Sequence, residues 1–548
     1  MARTPLMRSL LGLARRAALS EPQRLRGGEA RVSRRTLLAG AGATAALGAL
    51  AAERAPRARA QATPTAGAPR IGIVGAGIAG LNAALTLHDA GHAVTVFEAA
   101  DRVGGRMHSN TRTWADGQTS EWCAELIDTG HTTMRALVAR FALPLTDLLE
   151  AMEDGAEDTY YFLGRYYPED AASRAFQPVF RTLREQQASI GPVTRYDSFT
   201  PAGYRFDHTS VAQWIEDYVP GGLGSPLGRL LDVAYVTENG RDTAEQSALA
   251  LIDQLGDQLD PEKPSIFGAS DERYHIDGGN QRLPEAIADY LTITLPHCDV
   301  RTGWRMMGIA QAIDGVTLSF ATAGGLRQEV FDRVVLAIPF SVVRTLDSVL
   351  AGFDDLKRTA IAELTYGTNA KLQLQFDRRY WRGRGAWPGL GNGFVFSDVG
   401  FQDGWEVTRG QRGESGIINL FTGGLVGAGF LPDGPYTVAA ESEPTRAYAE
   451  QFLTLLEQVW PGISPHYTGI ATLSYPTGDP NLLGSYPIYT IGQLTSFGGY
   501  EAVPQGNVYF AGDHCSLGFT GFMEGAARAG ERAAREILAD PTNTAEGL

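Results

Sequence analysis

The chain has 548 residues, 44% of them hydrophobic and 20% charged, which is ordinary for a globular protein large enough for two or three domains around a sizeable core. Its formal net charge of −15 argues against nucleic acid and anionic lipid as partners. Only three cysteines occur, Cys123, Cys298 and Cys515, too few and too scattered for a zinc site or a disulfide framework, so buried free thiols are expected.

The first sixty residues stand apart. They hold twelve arginines against three glutamates, so the chain beyond them carries −24 rather than −15. Within them, Ser33-Arg34-Arg35-Thr36-Leu37-Leu38 precedes a weakly apolar Ala/Gly-rich run, and Ala58-Arg59-Ala60 has small-x-small spacing. This resembles a bacterial Tat signal peptide over residues 1–60, followed by a linker over 61–69. The resemblance implies export of a folded protein to the periplasm or the outside. The apolar run is shorter than the roughly 20 residues a spanning helix needs, so no membrane insertion of the mature chain is expected.

Ile71 to Val74 form a short apolar strand, and Gly75, Gly77 and Gly80 follow in G-x-G-x-x-G spacing at the start of a helix. The first glycine permits a tight turn, the second lets a pyrophosphate approach the backbone, and the third lets helix and strand pack closely. A second strand, Val94 to Phe97, ends at Glu98, placed to accept from an adenosine ribose, with Ala99 beside it. Then come Arg102, Gly105 and Arg106 in the block DRVGGR. Residues 121–128 lead into a helix over 132–141, and a mostly helical stretch without a catalytic motif runs to about 265.

Further along, Tyr274 to Asn280 turn a short strand into a helix from Leu283, and Val300 to Ile309 read as a strand containing Met306. The apolar run Val334 to Ile338, closed by Pro339, suits a central parallel strand. In Tyr366 to Phe376, alternation places Leu372, Leu374 and Phe376 on one face and Lys371, Gln373 and Gln375 on the other, which could be the solvated side of an edge strand. The C-terminal block runs from Gly484-Ser485-Tyr486 through Asn507-Val508-Tyr509-Phe510-Ala511-Gly512-Asp513-His514 to Thr520-Gly521-Phe522-Met523-Glu524-Gly525-Ala526. It reads as a strand delivering an acid, a glycine turn, and a helix whose positive end aims at a bound ligand. The histidines make no metal spacing, no metal site is expected, and no nucleophile elbow is present.

Taken together, these blocks resemble the flavin amine oxidase superfamily, which includes the monoamine, polyamine and L-amino-acid oxidases, over residues 70 to 540. The resemblance implies an α/β fold: an interrupted, glutathione-reductase-like Rossmann FAD domain over 70–128, 269–345 and 481–540, an α+β substrate domain over 129–268 and 346–480, and a tail over 541–548. It implies FAD held by Gly75, Gly77, Ile78, Ala79, Gly80, Glu98, Ala99, Arg102, Gly105, Arg106, Met306, Asp513, Gly521, Phe522 and Met523. Lys371 would hold a water at flavin N5, while Tyr486 and Phe522 would flank the substrate amine. A phenylalanine at the second position departs from the monoamine oxidase tyrosine pair. Ser485 stands where those enzymes carry the flavin-linking cysteine, so FAD is expected to be non-covalent.

The implied reaction is hydride transfer from a neutral primary amine to the flavin, giving an imine and then a carbonyl product and ammonia. Dioxygen reoxidises the flavin to release hydrogen peroxide. L-amino-acid oxidases often carry Gly-Ala-Met-Arg where this chain has Cys123-Ala124-Glu125-Leu126, and Leu126 cannot fork onto a carboxylate. That favours an amine, with an L-amino acid as the alternative if another arginine such as Arg273 substitutes. An FAD-dependent desaturase and a non-catalytic FAD-binding partner rank behind both. A homodimer is compatible with this reading.

Overall fold

The computed structural model describes residues 69–256 and 271–540. The twin-arginine segment, the linker up to residue 68, positions 257–270 and the tail lie outside these. Among the described residues, no helix is long and apolar enough to cross a membrane.

The nucleotide fingerprint folds as its spacing demands. Strand β1 (Ile71–Val74) is buried along its whole length, helix α1 (Ile78–Asp89) starts immediately after the glycine turn, and β2 (Val94–Phe97) returns beside β1 in parallel. The chain comes back to this sheet as β3 (Asp299–Arg301), β4 (Arg333–Leu336) and β5 (Val508–Phe510), all parallel, in the spatial order β5-β4-β1-β2-β3. A sheet of this kind must be covered on both faces, which is why β1 and β4 read as unbroken apolar runs rather than alternating ones. A three-stranded antiparallel layer (Arg305–Ala312, Gly315–Thr322, Gly325–Phe331) lies against it, with Phe97 stacked on Phe320 at 4.3 Å. Helix α2 (Met523–Ala539) packs with α1.

The α1–α2 contact is closer than ordinary side chains allow. A Cβ on Gly530 would lie 2.0 Å from the backbone oxygen of Ala79, and Asn82 donates to the Ala527 carbonyl at 2.8 Å across the same seam. Buried Glu524, in the first turn of α2, accepts from the backbone N–H groups of Thr133 (3.0 Å) and Met134 (2.8 Å). It thereby caps the helix Thr132–Arg140, whose own N-terminal residue offers no side-chain cap.

The second sheet has nine strands. Its long path runs Tyr436–Val438, Tyr467–Ser474, Ala370–Phe376, Gly416–Thr422, Asp403–Glu406, Gly391–Ser397, Glu157–Phe162, Arg165–Tyr166, with Arg382–Gly383 beside Gly391–Ser397. Helices including Glu169–Ile190, Val211–Tyr218 and Pro226–Asn239 share one core with it, built around Phe176, Trp214, Tyr235 and Phe396. Glu443–Val459 shares the other core, with Leu372, Leu374, Phe376 and Trp460.

The alternation over residues 371–376 is present, but the edge-strand option is not realised. Ala370–Phe376 is hydrogen-bonded on both sides and buried throughout. Its polar face is satisfied by the segment 115–121: Gln373 Oε1 accepts from Ser120 Oγ at 2.7 Å, and Gln375 Nε2 donates to Gln118 Oε1 at 2.9 Å. Burial of those amides is affordable because each finds a partner.

Because the atom facing Gly530 is backbone, Gly530→Ala forces α1 and α2 apart. Overpacking of this kind costs about 1–3 kcal/mol. The expected result is a lower thermal midpoint, read by calorimetry, whereas an unchanged midpoint would show that the helices separate freely.

Candidate active site

A cavity of about 370 Å³ opens where the C-terminal ends of the parallel strands meet the second sheet. Gly75, Gly77, Ile78, Ala79, Glu98, Ala99, Gly105, Arg106, Met306, Asp513, Gly521, Phe522 and Met523 all line it, and so do Lys371, Ser485 and Tyr486. Gly75 has φ +102, and a Cβ there would meet the Ala337 carbonyl oxygen at 2.6 Å. Gly77, by contrast, has nothing within 4 Å of where its Cβ would be, so its backbone is open to a ligand. Helices α1 and α2 both begin at the cavity wall, and neither has a side-chain cap on its first N–H groups. Open glycine backbone, two uncapped helix starts and a carboxylate at the end of β2 fit a dinucleotide cofactor.

Two of the predicted cofactor residues do not line the cavity. A Cβ on Gly80 would meet the Gly75 oxygen at 1.9 Å, so this glycine serves helix–strand packing, as the third glycine of the fingerprint should. The Arg102 guanidinium donates to the carbonyl of Gly105 at 3.0 Å and braces the glycine loop.

Glu98 accepts from the backbone N–H of Ala76 at 2.8 Å and of Ala100 at 2.9 Å. Burial raises its pKa, and those N–H groups act in the opposite direction. Arg106 forks onto Asp513 at 2.7 and 2.6 Å and also donates to the Ser485 carbonyl at 2.9 Å. Burial pushes the Asp513 carboxyl upward, yet the charge of Arg106 more than offsets this and holds it well below the usual carboxylate range.

At the other end, Lys371 Nζ donates to Glu125 Oε2 at 2.6 Å, with both side chains only 8% exposed. The second oxygen of Glu125 accepts from Trp405 Nε1 at 2.9 Å. Tyr486 turns its ring to the cavity while its hydroxyl lies 2.9 Å from the Glu238 carbonyl oxygen and 3.1 Å from that of Thr237. Phe522 meets the ring of His131 edge-on at 5.3 Å, and burial depresses the His131 pKa to about 4. Arg273, the candidate carboxylate partner, is instead bonded to Asp147 at 2.7 Å and does not line the cavity. Cys123 does, whereas Cys298 and Cys515 are buried; all three are free thiols.

Sequence reasoning missed the Glu125–Lys371–Trp405 cluster, because its members are 246 and 280 residues apart with no motif joining them. It also missed a second cavity of about 460 Å³ that shares Glu125, Leu126, Glu272 and Trp405 with the first. His514, one of the histidines without metal spacing, lines the main cavity.

A family model for flavin containing amine oxidoreductases matches residues 78–538. The chain belongs to this family. It is therefore a flavin-dependent oxidoreductase of the amine oxidase family. Among related proteins, a putative L-amino-acid oxidase, YobN, of Bacillus subtilis is 25% identical over 85% of this chain and 94% of its own length. An L-amino acid dehydrogenase of Synechocystis is 26% identical over the same shares. Two solved structures share the fold. Cyclohexylamine oxidase from Brevibacterium oxydans superposes with TM-score 0.70 at 23% identity, covering 86% of this chain and 98% of that one. Putrescine oxidase bound to putrescine gives 0.68 at 20%, covering 86% and 99%.

A buried carboxyl braces the C-terminal segment of this amine oxidoreductase. Glu501 accepts from Tyr489 Oη at 3.0 Å and from the Gly499 N–H at 2.7 Å, and burial raises its pKa from 4.5 to about 7. Between those values the folded protein holds a proton that the unfolded chain has lost. This group's contribution to stability must therefore fall as pH rises through that window. Glu501→Gln is expected to flatten the decline in thermal midpoint from pH ~4.5 to ~7; parallel declines in variant and wild type would contradict the assignment.

Proposed function

We propose that this protein is an FAD-dependent oxidase of primary amines, yielding an imine, then a carbonyl product and ammonia, with hydrogen peroxide formed from dioxygen. The observation that carries the choice of an amine is Glu125. A carboxylate ion-paired to Lys371 occupies the substrate end of the cavity, and each of its oxygens keeps capacity to accept a hydrogen bond from a substrate ammonium. Among the described residues, no arginine lining the cavity is placed to fork onto a substrate carboxylate. Arg106 is committed to Asp513, and Arg305 stands beside Met306 at the Glu98 end, where Trp304 N–H bonds the Glu98 carbonyl.

The flavin, when bound, supplies the redox chemistry by taking hydride from the α-carbon and passing electrons to dioxygen. The protein binds and orients. Tyr486 and Phe522 offer aromatic walls to the amine, Lys371 holds a water toward the flavin, and the N-terminus of α2 offsets negative charge on the reduced ring. Ser485, which lacks a thiol and donates to Asn369 Oδ1 at 2.7 Å, supports non-covalent FAD. Arg34 and Arg35 ahead of the apolar run support Tat export to the periplasm or beyond. The L-amino-acid reading stays second, favoured by the names of the Bacillus and Synechocystis relatives.

A peroxide-coupled screen of primary amines against L-amino acids, on protein lacking residues 1–60, tests this reading. Peroxide from amines is expected, and peroxide from amino acids alone would reverse the order. Lys371→Met is expected to retain FAD while flavin reduction or reoxidation slows by about 10²-fold; unchanged rates would remove Lys371 from the chemistry. Acid precipitation is expected to release all of the FAD into the supernatant, and yellow colour retained in the pellet would establish a covalent link.

A further inference from the structure

An amine arrives at neutral pH as an ammonium, because its pKa lies near 10, as for a lysine side chain. It can be oxidised only after losing a proton, since the nitrogen lone pair stabilises the carbon that loses hydride. Resting on the amine reading above, we infer that the Glu125 carboxylate accepts that proton. The N–H bond of the ammonium breaks with its electron pair left on nitrogen, and an O–H bond forms on Glu125. No oxidant, reductant or further reactant enters the step.

The choice of Glu125 follows from what surrounds the substrate end of the cavity. Tyr486 Oη lies within reach of the carbonyls of residues 237 and 238 and can donate its single proton there, so it is no base. Lys371 is a donor to Glu125. Burial raises the Cys123 thiol pKa, so that group stays protonated. His131 stands behind Phe522, with its Nδ1 accepting from the Asp128 N–H. Two further carboxylates, Asp128 and Glu272, also line the wall, and Asp128 accepts from the Glu272 N–H at 3.0 Å. Glu125 differs from both in standing at 2.6 Å from the lysine assigned to the reacting end.

Its geometry also leaves room for a proton. Each oxygen has one donor, Lys371 at 2.6 Å and Trp405 at 2.9 Å, and a carboxylate oxygen has capacity for two. The charged groups facing it are Lys371, Glu272, and His275, which bonds Glu121 at 2.9 Å; burial lowers the His275 pKa but Glu121 more than restores it. Transfer turns an ammonium and a carboxylate into two neutral groups and leaves Lys371 as the one charge of the three, so the net charge of the site is unchanged by the step. Because Glu125 also lines the second cavity, the proton has a way out that does not pass the substrate.

The test uses the FAD-loaded enzyme and the Glu125→Gln, Glu125→Asp and Asp128→Asn variants, each checked for bound flavin and thermal midpoint. Anaerobic reduction of the flavin by benzylamine and n-hexylamine is followed from pH ~6 to ~10. In the wild type kcat/KM should be nearly flat across neutral pH. In Glu125→Gln, which depends on amine already neutral in solution, it should rise about tenfold per pH unit, starting about 10²–10³-fold low at neutral pH and converging with wild type near pH 10. Glu125→Asp should keep the flat profile.

Binding of tert-butylamine, which has no α C–H bond and leaves the flavin oxidised, gives a readout without turnover. Its apparent Kd should fall about tenfold per pH unit in Glu125→Gln alone. A loss of equal size at every pH, or the steep profile appearing in Asp128→Asn instead, overturns the inference. Failure of all amines to reduce the wild-type flavin overturns the amine reading itself. If Glu125→Gln does not fold, the retained flat profile in Glu125→Asp and its loss in Asp128→Asn decide the matter.

Discussion

The fork from Arg106 to Asp513 holds together parts of the chain that nothing local could join. Arg106 ends the glycine loop after β2, Asp513 follows β5 407 residues later, and the Ser485 carbonyl, 379 residues away, accepts from the same guanidinium. Asp513 is almost fully buried, with its side chain only 3% exposed, so its charge would be costly alone. Removing one partner from such a buried pair typically costs about 3–5 kcal/mol, because the other charge is left behind. The loop can make the turn because Gly104 and Gly105 both adopt positive φ, at +108 and +55. One ion pair thus closes the three sequence blocks around a single cavity.

A second buried pair sits at the opposite end of that cavity and follows the same logic. Lys371 and Glu125 neutralise one another, as Arg106 and Asp513 do. The wall therefore carries charged groups without carrying a large net charge. A polar cofactor can enter and find directed donors at the starts of α1 and α2 without a strongly charged empty site having to be stabilised first. The two pairs differ in their donors: one guanidinium spans both oxygens of Asp513, whereas the oxygens of Glu125 are met by two separate side chains, Lys371 and Trp405.

The nucleotide-binding half was legible because its determinants are local. Strand, turn and helix between Ile71 and Asp89 depend on glycines whose spacing is itself the geometry, and the apolar run Val334 to Ile338 reads as a doubly covered strand without knowledge of its neighbours. Lys371 could be read onto the correct face by alternation, but not into its surroundings. The amides beside it looked solvated because the residues that satisfy them, Ser120 and Gln118, lie more than 250 positions earlier. Arg273 failed as a candidate for a similar reason: a long flexible cation goes to the carboxylate the fold brings near, and that is Asp147. Arg102 was placed by motif, and its bond to the Gly105 carbonyl depends on the fold of the loop rather than on its spacing.

The position of Glu125 is set by sheet register rather than by its own segment. Lys371 pairs with Phe421, Phe421 with Asp403, and Trp405 with Asn419, two residues along the intervening strand Gly416–Thr422. Lys371, Phe421 and Trp405 consequently point from one face of the sheet across three adjacent strands, and all three line the cavity. A slip of one residue in either pairing would turn Lys371 or Trp405 to the opposite face and leave one oxygen of Glu125 without its donor. The Glu125 carboxylate at the cavity wall is thus aimed by the sheet above it, which explains why residues 123–126 alone could indicate that a carboxylate-binding arginine is missing but not what takes its place.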